Sequence, residues 1–331
     1  MSEDFREIHD ELRAVSRDML GRGSMDWTQI AAAGWLGLEV PDELGGAGAT
    51  FVETAIVLEE MGRAAAANRF LGTTLAVGAL TALSPNESRD ALLGRLAAGE
   101  TAALASGFTL ERGVDGPIVS GRAEFVPDAD GADHLLLLAR DPDGARVLVA
   151  PTAATVAPQL VLDETRSLAV VTADRSPVAQ SWPLTVDPEA VASRAAVSVA
   201  CDSLGLAEAM LARTVDYTSV RNQFGRAIGS FQAVKHACAD MLVQIAVARQ
   251  LVDEAVADVA AGVDASVTTA MAKSYATSMA VDVAGKAMQL HGGIGYTWES
   301  GVHVYLKRAA LNRALFGSPA DHRRRLAARY G

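Results

Sequence analysis

The chain has 331 residues, of which half are hydrophobic, 21% charged and only 5% aromatic. That length predicts two or three domain-sized units, and the apolar share excludes a disordered chain. Lys and Arg number 29 against 40 Asp and Glu, a net charge of −11, which argues against nucleic acid and against an anionic membrane surface as partners.

The first twenty residues are charged and amphipathic, without the apolar core of a signal peptide. Phe5, Ile8, Leu12, Val15 and Leu20 recur as one face of a helix would. Asp26 is placed to cap a short helix from Trp27 to Ala33. Pro41, Gly45, Gly46 and Gly48 break residues 34–48 into a loop. Helices are expected over about 50–63, 68–84 and 88–98. The longest uncharged stretch, 70–86, falls short of a membrane span and contains Gly72, Gly78 and Pro85.

From about 103 to 185 the texture changes to short β-favouring runs. These are 117–119, 135–138, 147–149, 160–162 and 168–171, with Asp141-Pro142-Asp143-Gly144 as a turn between two of them. Residues 186–331 return to helix, with long segments expected at about 190–221, 230–261, 264–290 and 300–315. Four Ala-rich helices predict a bundle. The predicted fold is mainly α with a small β domain: helical residues 1–102, a β domain at 103–185 and a four-helix bundle at 186–331. In the helix expected at about 264–290, Met279, Val281, Val283, Ala284, Ala287 and Met288 put apolar side chains on several faces, which predicts a dimer or tetramer through the bundle. Arg323, Arg324 and Arg325 read as a solvated last helical turn.

Cys201 and Cys238 form no CxxC pair, which predicts a reducing, cytoplasmic setting. There is no P-loop, HExxH or GxSxG, and the six histidines make no metal-ligand pattern, so no metal is expected. Two stretches stand out. Residues 220–232, VRNQFGRAIGSFQ, place a fixed cation, amide side chains and two glycines between two long helices. Such parts suit a pyrophosphate, although an ordinary interhelical turn with a surface arginine has the same composition. Residues 289–299, QLHGGIGYTWE, read as a helix end, a glycine-rich turn and aromatics.

In this order the two stretches resemble the RxxFG…FQ loop and QxxGGxGY turn of the acyl-CoA dehydrogenase family, with Gln289 lying 68 residues after Arg221. Gly34-Trp35-Leu36-Gly37-Leu38 with Pro41, Gly45 and Gly46 resembles the family's N-terminal segment. Glu59-Glu60-Met61-Gly62 resembles its EExG helix. The resemblance implies FAD-dependent α,β-dehydrogenation of an acyl-CoA thioester, with a carboxylate base for the α-proton and the β-hydrogen leaving as hydride to the flavin. It implies cofactor-binding roles for Arg221, Gln223, Phe224, Gln232, Gln289, His291, Gly292 and Gly293, reaching an FAD shared between subunits. It also implies an electron-transfer flavoprotein as the acceptor.

The sequence departs from the family at the base. The usual C-terminal Glu position falls at Gly317, and the alternative on the first bundle helix, about seven turns before Arg221, falls at Ala195. Asp202, two turns beyond Ala195, could be a displaced base, although a buried or interface polar residue of a packed helix has the same pattern. Glu299 is a poor candidate, because family members with the usual Glu also carry a Glu there. Ala105–Phe108 and Glu124–Pro127 replace the family's flavin-ring segments. This pattern resembles the short, base-lacking subunit of actinobacterial heterotetrameric dehydrogenases that act on steroid-derived CoA thioesters, in which a homologous partner chain supplies the Glu. A self-sufficient homo-oligomer with a displaced base, and a non-enzymatic assembly protein on the same scaffold, are the alternatives.

Overall fold

The computed structural model describes residues 3–21 and 25–330; the side chains of residues 3–5, Phe5 among them, and of Tyr330 lie outside that description. Five helices come first: α1 (Glu3–Gly21), α2 (Trp27–Ala32), α3 (Phe51–Ala64), α4 (Phe70–Thr81) and α5 (Glu87–Ala97). Six strands follow: β1 (Ala102–Gly113), β2 (Gly116–Pro127), β3 (His134–Arg140), β4 (Arg146–Pro151), β5 (Thr155–Gln159) and β6 (Leu168–Pro183). The remainder is helical, with α6 (Pro188–Val220), α7 (Gln232–Ala261), α8 (Ser266–His291), α9 (Val302–Ala314) and α10 (Pro319–Tyr330). The helix–β–helix order is the expected one, but α10 adds a fifth helix to the expected four. Arg323, Arg324 and Arg325 are exposed in the middle of α10 rather than at a last turn.

The chain divides into two compact units: residues 1–24, 55–66 and 195–331 form one, and residues 25–54 and 67–194 the other. In the second unit, Asp26 caps α2 as expected. Its side chain accepts from the Gln29 amide at 2.8 Å, and the Gln29 side chain accepts from the Asp26 amide at 2.9 Å. The sheet runs β2-β1-β3-β4-β6-β5, and an extra pairing ties β2, at one end of that order, to β6, the fifth strand in it. Leu135–Leu138 lacks polar alternation because both faces of the sheet are covered. Leu136 and Leu138 pack with Leu80, Leu92, Leu96 and Trp182, while Leu137 packs with Phe108, Val119 and Val171.

One strand expectation needs correction, and one observed strand carries no signal in the sequence. Residues 160–162 are not a strand. β5 ends at Gln159, which pairs with Leu168, so 160–167 must turn the chain back, and Leu160 and Leu162 are left exposed. β1 carries no strong β-favouring run, since it opens Ala-Ala-Leu-Ala. It forms because β2 and β3 pair with its two edges, tertiary context overriding propensity.

The first unit depends on one helix crossing. A Cβ placed on Gly62 of α3 would lie 1.9 Å from the Asp202 carbonyl oxygen, and one on Gly205 of α6 would lie 1.8 Å from the Glu59 carbonyl oxygen. The two backbones therefore touch where only glycine fits. Around this crossing lies an ion-pair network. Glu59 accepts from Arg13 and from Arg249 at 2.7 Å each, and Glu60 pairs with Arg17 at 2.8 Å and Arg63 at 3.0 Å. Arg249 and Arg63 both reach Glu208. These arginines, rather than a continuous apolar face, hold α1. Leu20 is buried, but Ile8 and Val15 are 54% and 46% exposed.

The apolar faces of α8 are also covered differently from the expectation. Met279, Val283, Ala284, Ala287 and Met288 are buried within this chain, where α7, α9 and α10 pack on α8. The exposed apolar stripe lies instead on α7, at Leu242, Val243 and Val247. α6 is long and apolar enough to cross a membrane, but 83% of its most apolar window is buried in the fold, as in a core helix.

Gly205→Ala should destabilise the chain by about 3 kcal/mol or more, because a methyl group at 1.8 Å from a carbonyl oxygen forces the helices apart. Urea denaturation checks this; a midpoint unchanged from the parent would contradict the close crossing.

Candidate functional site

The segment after α6 is not a simple loop. Asn222-Gln223 (β7) and Arg226-Ala227 (β8) pair as a tight hairpin with Phe224 and Gly225 at its tip, both at positive φ, 53° and 76°. Gly229 lets the chain pass α6, since a Cβ there would lie 2.9 Å from the Thr218 carbonyl oxygen. Arg226 is stacked on Phe231 at 4.0 Å, whereas Arg221, Gln223 and Gln232 are exposed and Phe224 is 91% exposed. No side chain caps α7, so the amides of a 30-residue helix open beside Gln232 with the positive end of its dipole. Behind the hairpin is a groove of about 370 Å³ lined by Thr218, Ser219, Ala227, Gly229, Lys235 and Cys238, among others.

The second stretch begins where α8 ends. Gln289 is exposed, and neither Gly292 nor Gly293 would meet anything within 4 Å if given a Cβ. Gly295 differs, because a Cβ there would lie 2.5 Å from the Met288 carbonyl oxygen. The turn therefore needs Gly295 for its own packing, but leaves the backbone at 292–293 bare without needing to. His291 is buried: its Nδ1–H donates to the Ala287 carbonyl oxygen at 2.7 Å, and its ring stacks on Tyr217 at 4.6 Å. Tyr217 in turn accepts from the Arg221 amide at 3.0 Å. That stack brings the two stretches together.

The three positions considered for a base are all in the same unit. Ala195 is buried and has no titratable group. Asp202 is fully buried, and both its oxygens are occupied. Arg308 Nε donates to Oδ1 at 3.0 Å, Arg308 Nη2 to Oδ2 at 2.5 Å, and Asn312 Nδ2 to Oδ1 at 2.6 Å. Gly317 sits in the turn between α9 and α10, where Lys273 of α8 donates to its carbonyl oxygen at 2.9 Å and to that of Asn312 at 3.0 Å. In the β domain, both segments that replace the flavin-ring motifs sit at irregularities in the strand pairing. One falls between Ser106 and Phe108 on β1, the other between Ala123 and Val126 on β2.

Comparison with known proteins fits this geometry. Residues 3–100 match the acyl-CoA dehydrogenase N-terminal domain and residues 190–331 the acyl-CoA dehydrogenase C-terminal domain. The chain is 34% identical to the acyl-CoA dehydrogenase IpdE2 of Mycolicibacterium smegmatis over 96% of its own length and 92% of that protein. It is 37% identical to IpdE2 of Mycobacterium tuberculosis over 90% and 83%. Among solved structures, the Tcur3481-Tcur3483 steroid acyl-CoA dehydrogenase G363A variant superposes with a TM-score of 0.87 at 26% identity, covering 97% of each chain. The chain belongs to the acyl-CoA dehydrogenase family. Acyl-CoA dehydrogenases are FAD-dependent oxidoreductases acting on the CH–CH bond of acyl-CoA thioesters.

Sequence reasoning missed the polar cluster beneath the α9–α10 turn. Its signal was Lys273, a lone cation in the apolar run AMAKSYA. In the fold Lys273 satisfies carbonyl groups at the C-terminal end of α9, which would otherwise be orphaned. Burial pushes its ammonium down from 10.5 to about 7.

Two measurements follow from these geometries. Asp202→Ala should cost about 3–5 kcal/mol of stability, because it strands the Arg308 guanidinium in the interior; a denaturation midpoint within error of the parent would contradict the pairing. Between about pH 7 and pH 10.5 the folded chain has released the Lys273 proton while the unfolded chain retains it. Stability from this group therefore rises with pH across that window. Lys273→Met should flatten the rise, read as urea midpoints at about pH 7 and about pH 10.

Proposed function

We propose that this chain is one subunit of a hetero-oligomeric acyl-CoA dehydrogenase, gripping the ADP half of an FAD shared with a homologous partner chain, which supplies the general base. The observation that carries this reading is the composition of one exposed surface. Arg221, Gln223, Phe224 and Gln232 are exposed about the uncapped start of α7, and Gln289 and the bare backbone at Gly292–Gly293 are exposed on the turn that the Tyr217–His291 stack ties to the same segment. His291 stands behind them as a packing residue. A guanidinium fork, carboxamides and an open helix N-terminus fit a diphosphate, and glycines with open space above them let a ligand approach the backbone. FAD, when bound, supplies the acceptor for the β-hydrogen of the acyl-CoA.

The missing base supports a second chain. Ala195 and Gly317 carry no carboxylate, and Asp202 is committed to Arg308 and Asn312. A displaced base at Asp202 would first have to break a buried ion pair, which favours a base from a second chain over a self-sufficient homo-oligomer that uses Asp202. The exposed stripe Leu242, Val243 and Val247 on α7 offers an apolar face for the association. The resemblance to a steroid dehydrogenase named for two components, Tcur3481 and Tcur3483, favours a steroid-derived acyl-CoA as substrate. Cytoplasmic location and electron-transfer flavoprotein as the acceptor complete the reading.

Arg221→Ala in the reconstituted complex should weaken FAD retention by one to two decades, since a charge-assisted contact contributes about 1.5–3 kcal/mol. Flavin absorbance after gel filtration reads it, and full retention would undermine the bridging role. The isolated chain should show no acyl-CoA turnover, because a positioned general base contributes roughly 10²–10⁴-fold.

A further inference from the structure

The turn between α9 and α10 leaves no room for a side chain at its centre. We propose that Lys273 and His322 lock the Phe316–Gly317 turn in a form with no room for a side chain at position 317, so that this position cannot acquire a base by a single substitution. This rests on the reading that the base comes from the partner, and it adds that the vacancy in this chain has been built over.

Two helices hold consecutive carbonyl groups of the turn. Lys273 of α8 donates to the Gly317 oxygen at 2.9 Å, and His322 Nε2–H of α10 donates to the Phe316 oxygen at 3.0 Å. Both donors are buried, at 0% and 2% exposure. Held this way, Phe316 and Gly317 take positive φ in succession, 56° and 93°. The second is a backbone conformation that a residue with a Cβ enters only at a cost.

Space excludes a side chain independently. A Cβ at Gly317 would lie 2.9 Å from His322 Nε2 and 3.3 Å from its Cδ2. The imidazole cannot swing aside without giving up its bond to Phe316 inside the fold. Its position is fixed further by the start of α10. Ser318 donates from its amide to Asp321 Oδ2 at 2.9 Å and from its hydroxyl at 2.6 Å, and the His322 amide donates to the Ser318 oxygen at 3.1 Å. Because Nε2 carries the proton given to Phe316, Nδ1 is bare, and it has no hydrogen-bond partner among the described residues. The neutral ring suits this pocket, beside the Lys273 ammonium and short of a second acceptor.

A double-mutant cycle on the full chain tests the lock, with Gly317→Ala, His322→Ala and the pair measured by urea denaturation. Gly317→Ala is expected to lower the midpoint, and its cost is expected to shrink by about half when His322 is already Ala, because the steric part is then gone and the backbone strain remains. Additive costs would overturn the proposal. Should Gly317→Ala alone fail to fold, recovery of folded protein in the pair is the expected result, and failure of both would count against the His322 contact. Imidazole nitrogen shifts of the parent should report the Nε2–H tautomer; an Nδ1–H ring would contradict the geometry. Gly317→Glu should destabilise the chain and confer no turnover. A Gly317→Glu chain with the parent midpoint and new activity would refute closure. Turnover by the unmodified chain would instead refute the partner-base reading, and leaves the cycle's outcome unaffected.

Discussion

The backbone contact between α3 and α6 is the constraint from which much of the helical unit follows. With Gly62 and Gly205 facing each other's helices, the two helix backbones approach more closely than side chains allow. Asp202 is thereby carried into the interior, next to the contact. A carboxylate there, without a partner, would carry a desolvation penalty of several kcal/mol, and Arg308 and Asn312 of α9 answer it. Arg308 also donates to the Ala66 oxygen just beyond α3. One close crossing therefore fixes three helices and leaves both Asp202 oxygens hydrogen-bonded inside the fold. The surrounding Glu59, Glu60 and Glu208 pairs with arginines tie α1 and α7 to the same place.

Away from that crossing, the surface at residues 221–232 and 289–293 is organised on the opposite principle. Its polar groups are largely exposed, and Gln289 Oε1 accepts from Lys286 Nζ at 3.3 Å. The chain as a whole carries −11, yet this surface presents a guanidinium, carboxamides and a helix N-terminus. A locally positive site on an acidic protein selects an anionic group by position, and screening by salt weakens it unless a second surface covers it. The Tyr217–His291 stack holds the two stretches together.

Much of this was legible in the sequence, and the parts that were not have physical reasons. The glycines of EExG and of the glycine-rich turn were visible as motifs, but the sequence does not separate those required by packing from those left open. Gly62 and Gly295 would clash with carbonyl oxygens, while Gly292 and Gly293 would meet nothing. The hairpin before α7 is not legible in the sequence, because Phe224 is an unusual residue for a positive-φ turn position. The apolar faces of α8 were visible, but a helix apolar all round can be covered by its own chain as well as by a second one, and here α7, α9 and α10 do so. β1 escaped notice because its pairing partners, not its side chains, make it a strand. The Lys273–His322 cluster joins residues from α8 and α10 through backbone carbonyl groups, which leave no trace in residue identity.

The account turns on where the α-proton goes. A family member lacking a carboxylate at both Ala195 and Gly317, with Asp202 held by Arg308, should be unable to remove that proton however well it binds cofactor or thioester. The most direct measurement is exchange of the acyl-CoA α-hydrogen with deuterated water, followed by mass spectrometry for the purified chain supplied with FAD. Exchange is predicted to be absent for this chain alone and to appear only when the base-bearing partner is added. Rapid exchange by the chain alone would show that it carries its own base and would contradict the account.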